Sequence, residues 1–371
     1  GRSTNSMINT GSAATSAYVE GVKYANGEMI QIHPTAIPRE DKLRLMSESA
    51  RGEGGRVWVP RQKNDSRPAK QIPESERWYF LEEKYPRYGN LVPRDVASRE
   101  IFDVCVNQGL GLDGKMMVYL DVSHIDRATL NRKLGGILEI YEKFTGVDPR
   151  DEPMKIFPAM HYSMGGLWVD YEAAANGLIN EESPRNHQTN VPGLYASGEV
   201  DYQYHGANRL GANSLLSCLY GGLIGGKAMV SYAAARAKSP AAKVDTTAAS
   251  GKWEKRFKDL ASMQGEENPY RLHKELGEMM NEHVTIVRHN PAMEKVYVKL
   301  QEMSGRFERL GMPDSGGWAN QALLFANQLW NMIELGKVVT LGAIRRDESR
   351  GAHYKPAFPK RDDENWLKTT V

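Results

Sequence analysis

Five side chains spread along this 371-residue chain donate hydrogen bonds or positive charge: His33, Ser47, Arg94, His161 and Arg209. Few acceptors accompany them. Such a set suits a small molecule with two carboxylates, because each arginine offers a planar fork that matches a carboxylate and each histidine adds a directional bond. Glu48 and Arg51 stand at i and i+3, the spacing at which side chains meet on one helical turn. On pattern alone that pair reads equally as a surface ion pair, His33 and His161 as structural histidines, and Arg94 as a solvated charge. No side chain in the set can accept a hydride, so redox chemistry here needs a cofactor.

A second group lies in residues 193–222, GLYASGEVDYQYHGANRLGANSLLSCLYGG. Pro192-Gly193 signals a turn and Leu194-Tyr195-Ala196 a short buried strand. Glu199 comes at its carboxyl end, where open α/β sheets bind cofactors, and can accept bonds from ribose-like or ribityl hydroxyls. Gly206, Gly211 and small neighbours permit close backbone approach. A helix start at Asn213-Ser214-Leu215 offers N–H groups to electron-rich oxygens. His205 and Arg209 share that loop and suit an anion. From Leu215 the apolar run with paired glycines predicts a helix packed tightly on a sheet. Without further context the stretch also reads as a Gly-rich strand–turn–helix with no ligand.

That string closely resembles the flavoprotein subunit of succinate dehydrogenases and fumarate reductases. The same family shows HPT (33–35), E-x-x-RGEGG (48–55), PRD (93–95), HY-[ST]-MGG (161–166) and ESRGAH (348–353), all present here. SESARGEGGRVW, KYPRYGNLVPRD and ANRLGANSLLSC look most like the bacterial succinate:quinone oxidoreductase branch. The resemblance implies FAD as cofactor, with Glu199, His205, Asn213, Ser214 and Leu215 contacting it. It implies that His33 and Ser47 bind one substrate carboxylate and His161 and Arg209 the other. It makes Arg94 the proton-handling group, relayed through Glu48 and Arg51. Ser47 stands where many relatives carry Thr; the donor is kept. Relatives often have Thr-Gly-Asp-Gly near residue 15, but Thr15-Ser16-Ala17-Tyr18 stands here, so no cofactor contact is carried to it. The implied partners are an iron–sulfur subunit and a membrane cytochrome b anchor, which would hold the protein at the cytoplasmic face of a bacterial inner membrane. An L-aspartate oxidase-like flavoenzyme shares the architecture and the arginines. A third reading makes the chain an assembly module without its own activity.

The positioning elements follow from pattern. Lys plus Arg number 48 against 46 acidic residues, which argues against a nucleic-acid surface. Cys105 and Cys218 have no metal-ligand spacing and cannot ligate an iron–sulfur cluster alone. No apolar run reaches the roughly 18 residues of a membrane span. No strand–GxGxxG–helix unit precedes the first residue, so the chain is expected to be the C-terminal portion of a longer polypeptide. The expected fold is α/β plus α+β. A Rossmann-like FAD domain (1–32 and 158–240) carries an inserted α+β capping domain (33–157). An antiparallel three-helix bundle (241–336) and a C-terminal brace (337–371) follow. His33 is expected just past a strand ending at Ile32, residues 60–77 as an exposed loop, Asp95 as a helix N-cap, and 240–251 as a small-residue linker. The tail carries too many charges for a core. His124 and His187 are expected to be structural or solvated.

Overall fold

The computed structural model describes residues 3–6, 8–39, 44–237 and 245–371. In chain order the elements are α1 (Ser12–Val19), β1 (Tyr24–Ala25), β2 (Ile30–Ile37), β3 (Arg44–Leu45), α2 (Ser49–Gly52), β4 (Arg56–Pro60), β5 (Arg77–Trp78) and α3 (Phe80–Lys84). Next come α4 (Arg94–Phe102), β6 (Val118–Asp121), α5 (Arg127–Thr145), β7 (Met154–Ser163), β8 (Gly166–Leu167) and α6 (Asn213–Arg236). The last are α7 (Thr247–Ala261), α8 (Pro269–His283), α9 (Asn290–Phe307), α10 (Gln321–Arg345) and α11 (Asp363–Trp366). They form two compact units, one built on residues 31–162 with 3–6, the other on 8–30 with 163–371.

The first, the sheet unit, is α+β, with a six-stranded sheet in the order β3-β2-β7-β6-β4-β5. β6 runs antiparallel to β7, pairing Val118 with Ile156, and to β4, pairing Leu120 with Val57. Those four side chains are buried beside Leu130, Leu134, Leu138 and Tyr141 of α5. The i, i+4, i+8, i+11 spacing makes one apolar stripe, so α5 is an amphipathic helix that must lie on the sheet. Asp126 caps it by accepting the Thr129 N–H, and Gly146 ends it in the left-handed region at φ 77°. Each fully buried leucine contributes about 1.5–3 kcal/mol, and Leu134→Ala would cost about 2–5 kcal/mol.

Several local expectations are corrected here. His33 lies inside β2, not past its end. β2 continues through Pro34 because β3 pairs only with Ala36 and Ile37, so the missing proline N–H breaks no ladder bond on that side. α4 begins at Arg94 itself and has no side-chain cap; Asp95 sits in its first turn and pairs with Arg99 at 3.2 Å. Residues 60–77 are not wholly exposed, since Ile72 is fully buried next to a 3-10 turn.

In the second, helix-rich unit, β1 pairs antiparallel with β8. The three apolar stripes lie on α8, α9 and α10, and a further helix, α7, joins them through the buried Leu260. The expected linker therefore lies outside the described residues up to 244, and from Thr247 it is helical. Trp318 precedes α10 and is 92% exposed. Leu194-Tyr195-Ala196 is not a strand; a single bridge joins Tyr195 to Gln188. α6 buries Ser217, Gly221, Ile224, Gly225 and Ala228, whereas Leu215, Leu216, Leu219 and Leu223 are exposed. The leucines thus do not pack on a sheet among the described residues. The glycines matter instead: a Cβ on Gly221 would lie 2.6 Å from Ser197 Oγ and 3.2 Å from the His187 ring.

Candidate active site

Within the sheet unit, β2, β7, α4 and the turn into α2 carry His33, His161, Arg94 and Ser47 of the first group, with Glu48 and Arg51; Arg209 belongs to the helix-rich unit. His33 is buried on β2, and its ring meets His161 of β7 edge-on, with centroids 4.9 Å apart. Glu48, at the turn into α2, is the hub. Its Oε1 accepts from Arg51 Nε at 2.7 Å and also from Arg51 Nη2. Its Oε2 accepts from Arg94 Nε at 2.9 Å and lies 3.5 Å from His33 Nε2. The i, i+3 spacing therefore does close an ion pair, but a half-buried one: Arg51 is almost wholly enclosed while Glu48 is partly exposed. Burial pushes the Arg51 guanidinium below its ordinary pKa, with Glu48 opposing and Arg94 adding to the fall. Ser47 adjoins the hub, and its hydroxyl bonds Ser49 Oγ at 3.2 Å.

Sequence reading missed two members. Gln31 is buried, and its Oε1 accepts from Arg94 Nη1 at 3.1 Å. A period-2 signal existed, since residues 31 and 33 of one strand share a face. Thr4 Oγ1 bonds His161 Nδ1 at 2.7 Å and so orients that ring. It arrives through an isolated bridge between Ser3 and Met160, which no local pattern announces.

Within the helix-rich unit, the loop before α6 gathers the other group. Glu199 accepts the Ser163 N–H at 3.0 Å. The surrounding protein pushes its carboxyl pKa up, while that N–H and the Arg209 charge pull it down. Arg209 is buried, and its Nη1 bonds the Leu210 carbonyl at 3.3 Å. His205 Nε2 lies 3.1 Å from Ser217 Oγ, and its pKa is lowered by burial and then by Arg209. Ala212 enters α6 through the left-handed region at φ 66°. Of the N–H groups expected at the helix start, that of Asn213 is taken by the Leu210 carbonyl at 3.3 Å; Ser214 and Leu215 form the same turn. His187 is structural: buried, with Nδ1 on the Ala196 carbonyl at 3.0 Å. His124 is exposed. Thr15–Tyr18 lie inside α1, whose entry turn is Thr10-Gly11-Ser12, with Gly11 at φ 73°. The loop to compare with the relatives' Thr-Gly-Asp-Gly therefore starts at Thr10.

A model described as FAD binding domain matches residues 1–215, more than half of the chain. The chain belongs to the FAD-binding domain family. Residues 273–371 match a second model, the fumarate reductase flavoprotein C-terminal region. The succinate dehydrogenase flavoprotein subunit of Bacillus subtilis is 57% identical over 374 residues, which cover 100% of this chain and 59% of that protein. The fumarate reductase flavoprotein subunit of Escherichia coli is 33% identical, covering 99% of this chain and 58% of that protein. A solved Escherichia coli quinol fumarate reductase chain superimposes with TM-score 0.82 at 30% identity, over 100% of this chain and 60% of that one. A Mycobacterium smegmatis Sdh1 complex gives 0.72 at 29%, over 98% and 55%. This member of the family thus spans about three fifths of the length of these relatives. Among the described residues no helix is long and apolar enough to cross a membrane.

Proposed function

We propose that this chain is the substrate-handling part of a succinate dehydrogenase flavoprotein subunit. The observation that carries the reading is Glu48, one carboxylate held between two guanidiniums and beside a histidine. FAD, when bound, supplies the hydride acceptor that the protein's side chains lack. Glu199 fits a sugar or ribityl hydroxyl: one oxygen is committed to the Ser163 N–H, which leaves the other as an acceptor. His205 and the Asn213, Ser214 and Leu215 turn are the remaining cofactor contacts.

In this reading His33 and Ser47 hold one carboxylate of succinate, and His161 and Arg209 the other. Their charge and hydrogen bonds acidify the neighbouring C–H. Arg94 takes that proton. Arginine is ordinarily protonated at every accessible pH, so it serves as a base only by passing a proton on as it receives one. Glu48, 2.9 Å away, is the receiver, and Arg51 the next group. Reduction of fumarate runs the same relay backwards. The 57% identity to a succinate dehydrogenase relative supports succinate oxidation; at 33% a succinate dehydrogenase and a fumarate reductase match alike, so that level does not separate the directions. An iron–sulfur subunit and a membrane cytochrome b anchor complete the proposed assembly at the inner membrane.

The test is steady-state turnover of the full reading frame, purified with its flavin and given a one-electron dye. Fumarate formed from succinate is the expected product. Oxidation of L-aspartate with succinate inert would replace this reading by the aspartate oxidase one. Full-length material without flavin absorbance would favour the assembly-module reading.

A further inference from the structure

We propose that Asn90 is a positioning residue for the Glu48–Arg51–Arg94 relay, a role that rests on the reaction proposed above. Arg51 meets Glu48 on one edge of its guanidinium. On the other, Nη1 donates to the main-chain carbonyls of Asn90 at 2.9 Å and Val92 at 3.4 Å. The Asn90 oxygen belongs to the short 3-10 turn Gly89–Leu91, entered through Gly89 at φ 52° and with Leu91 exposed, and the Val92 oxygen to the residue that ends it. A turn of three residues has little of its own to hold it in place.

The Asn90 side chain supplies what the turn lacks. Its Oδ1 accepts the Val57 N–H of β4 at 2.9 Å, and its Nδ2 donates to Glu82 Oε1 of α3 at 2.7 Å. Glu82 is itself gripped at both oxygens by Arg56, at 2.9 and 2.8 Å. That grip holds the Glu82 carboxyl below the usual range, so it stays ionised and a constant acceptor. Asparagine in a turn commonly serves its own backbone. Here both ends of the amide leave the turn and tie it to the sheet and to α3. The Asn90 side chain joins the Gly89 N–H bond to the Tyr85 carbonyl (2.7 Å) and the burial of Val92 in fixing the turn's carbonyls, and through them the orientation of Arg51 towards Glu48. The Asn90 bonds run to Val57, Glu82 and Arg51, so its loss should disturb proton movement and spare carboxylate binding.

The experiment compares full-length, flavin-loaded wild type with N90A, N90D and the double variant N90D/E82Q. Measured are kcat, KM for succinate, malonate affinity from the flavin spectrum, the solvent deuterium isotope effect on kcat, and Tm. For N90A, kcat should fall about 10–100-fold, the scale of a sub-ångström to 1 Å misplacement. KM and malonate affinity should stay within about twofold of wild type. The isotope effect should rise, because proton transfer becomes the slower step. N90D sets a carboxylate against Glu82 and should be impaired too. N90D/E82Q removes that like-charge contact and lets the new amide donate to the new carboxylate, at the expense of the Arg56 Nε bond to the same Glu82 atom, and should recover part of the kcat lost in N90D. Unchanged kcat with a lowered Tm would overturn the proposal, as would parallel loss of malonate binding or an absence of recovery in the double variant. A wild type that fails to oxidise succinate refutes the reaction itself, and this role with it. An active wild type with unmoved variants refutes only the role of Asn90.

Discussion

Two ionic clusters in this molecule use the same chemistry and are built to different ends. In the sheet unit, Glu48 stands between Arg51 and Arg94, with side-chain exposures of 34% for the carboxylate and 11% for Arg94. In the helix-rich unit, Arg346 joins Glu28 at 2.6 Å and Glu348 at 2.7 Å, and all three are at most 1% exposed. Arg346 also donates to the Trp366 and Lys368 carbonyls, each at 3.0 Å, so its fork is filled by protein. Thr370 adds a hydroxyl to Glu28 at 2.8 Å, and Arg350 closes Glu348 at 2.8 Å. The sealed cluster ties the start of β2's approach, the end of α10 and the tail into one brace. The open cluster keeps a face where an anion and a proton can arrive. Openness, not the presence of buried charge, separates the proposed chemistry from architecture here.

The contrast is broken most directly by removing one guanidinium from each cluster. Arg94→Gln in the full-length enzyme should lower succinate turnover by about 10²–10⁴-fold, the usual weight of a general acid–base group. Flavin content, malonate binding and Tm should remain near wild type; substantial residual turnover would refute the role. Arg346→Met should do the reverse. It leaves Glu28 buried without its paired cation, while Glu348 keeps Arg350, at a cost of about 3–5 kcal/mol in unfolding free energy. Denaturant unfolding reads this, while the KM of the fraction that folds stays unchanged. A stable Arg346→Met protein would mean the brace is not held by its charges.

What the sequence made legible divides along similar lines. α5 is legible in principle because its stripe of Leu130, Leu134, Leu138 and Tyr141 is local and amphipathic. The α/β plus α+β class and the FAD-binding family were legible from motifs. The open cluster was partly legible: Glu48 and Arg51 are three residues apart, but Gln31 and Thr4 reach it through strand pairing. The sealed cluster was not, since Glu28 and Arg346 are 318 residues apart and their pairing cancels charges that look too many for a core. α7 was hidden behind Thr247–Gly251, whose small residues read as linker although Leu260 anchors the helix they begin. α6 misled in the other direction: its leucines looked like core, yet the glycine face is what lies buried.

The sealed cluster also predicts a pH dependence. His353 is buried, with Nδ1 against Arg288 and Nε2 on the Arg346 carbonyl at 2.9 Å. Burial first, and the Arg288 charge second, hold its pKa well below the ordinary value. The folded imidazole is therefore neutral, while the unfolded chain takes up a proton below about pH 6.5. Stability is full above that pH and is lost as pH falls, by at most about 1.4 kcal/mol per unit for this one group. Scanning calorimetry between pH 8 and 5 should show Tm falling for wild type and a shallower fall for His353→Gln. His205 and His273 are also shifted down and titrate in both proteins, so the difference between the two curves isolates His353. Identical slopes would remove His353 from the account.

The smallest effect sharpens the comparison from the solvent side. Lys255 and Asp259 form an i, i+4 pair on α7 at 2.6 Å, shorter than most contacts in either cluster, with side chains 76% and 55% exposed. If distance governed, this pair would rank with Arg346 and Glu28. If burial governs, water and salt screen it to about 0.3–0.5 kcal/mol. Lys255→Ala should then change unfolding free energy by less than about 0.5 kcal/mol, and 0.5 M salt should erase the difference. A loss above about 1.5 kcal/mol would make the short contact itself the stabilising feature, and the sealed cluster would then owe its strength to geometry that any surface pair can reach.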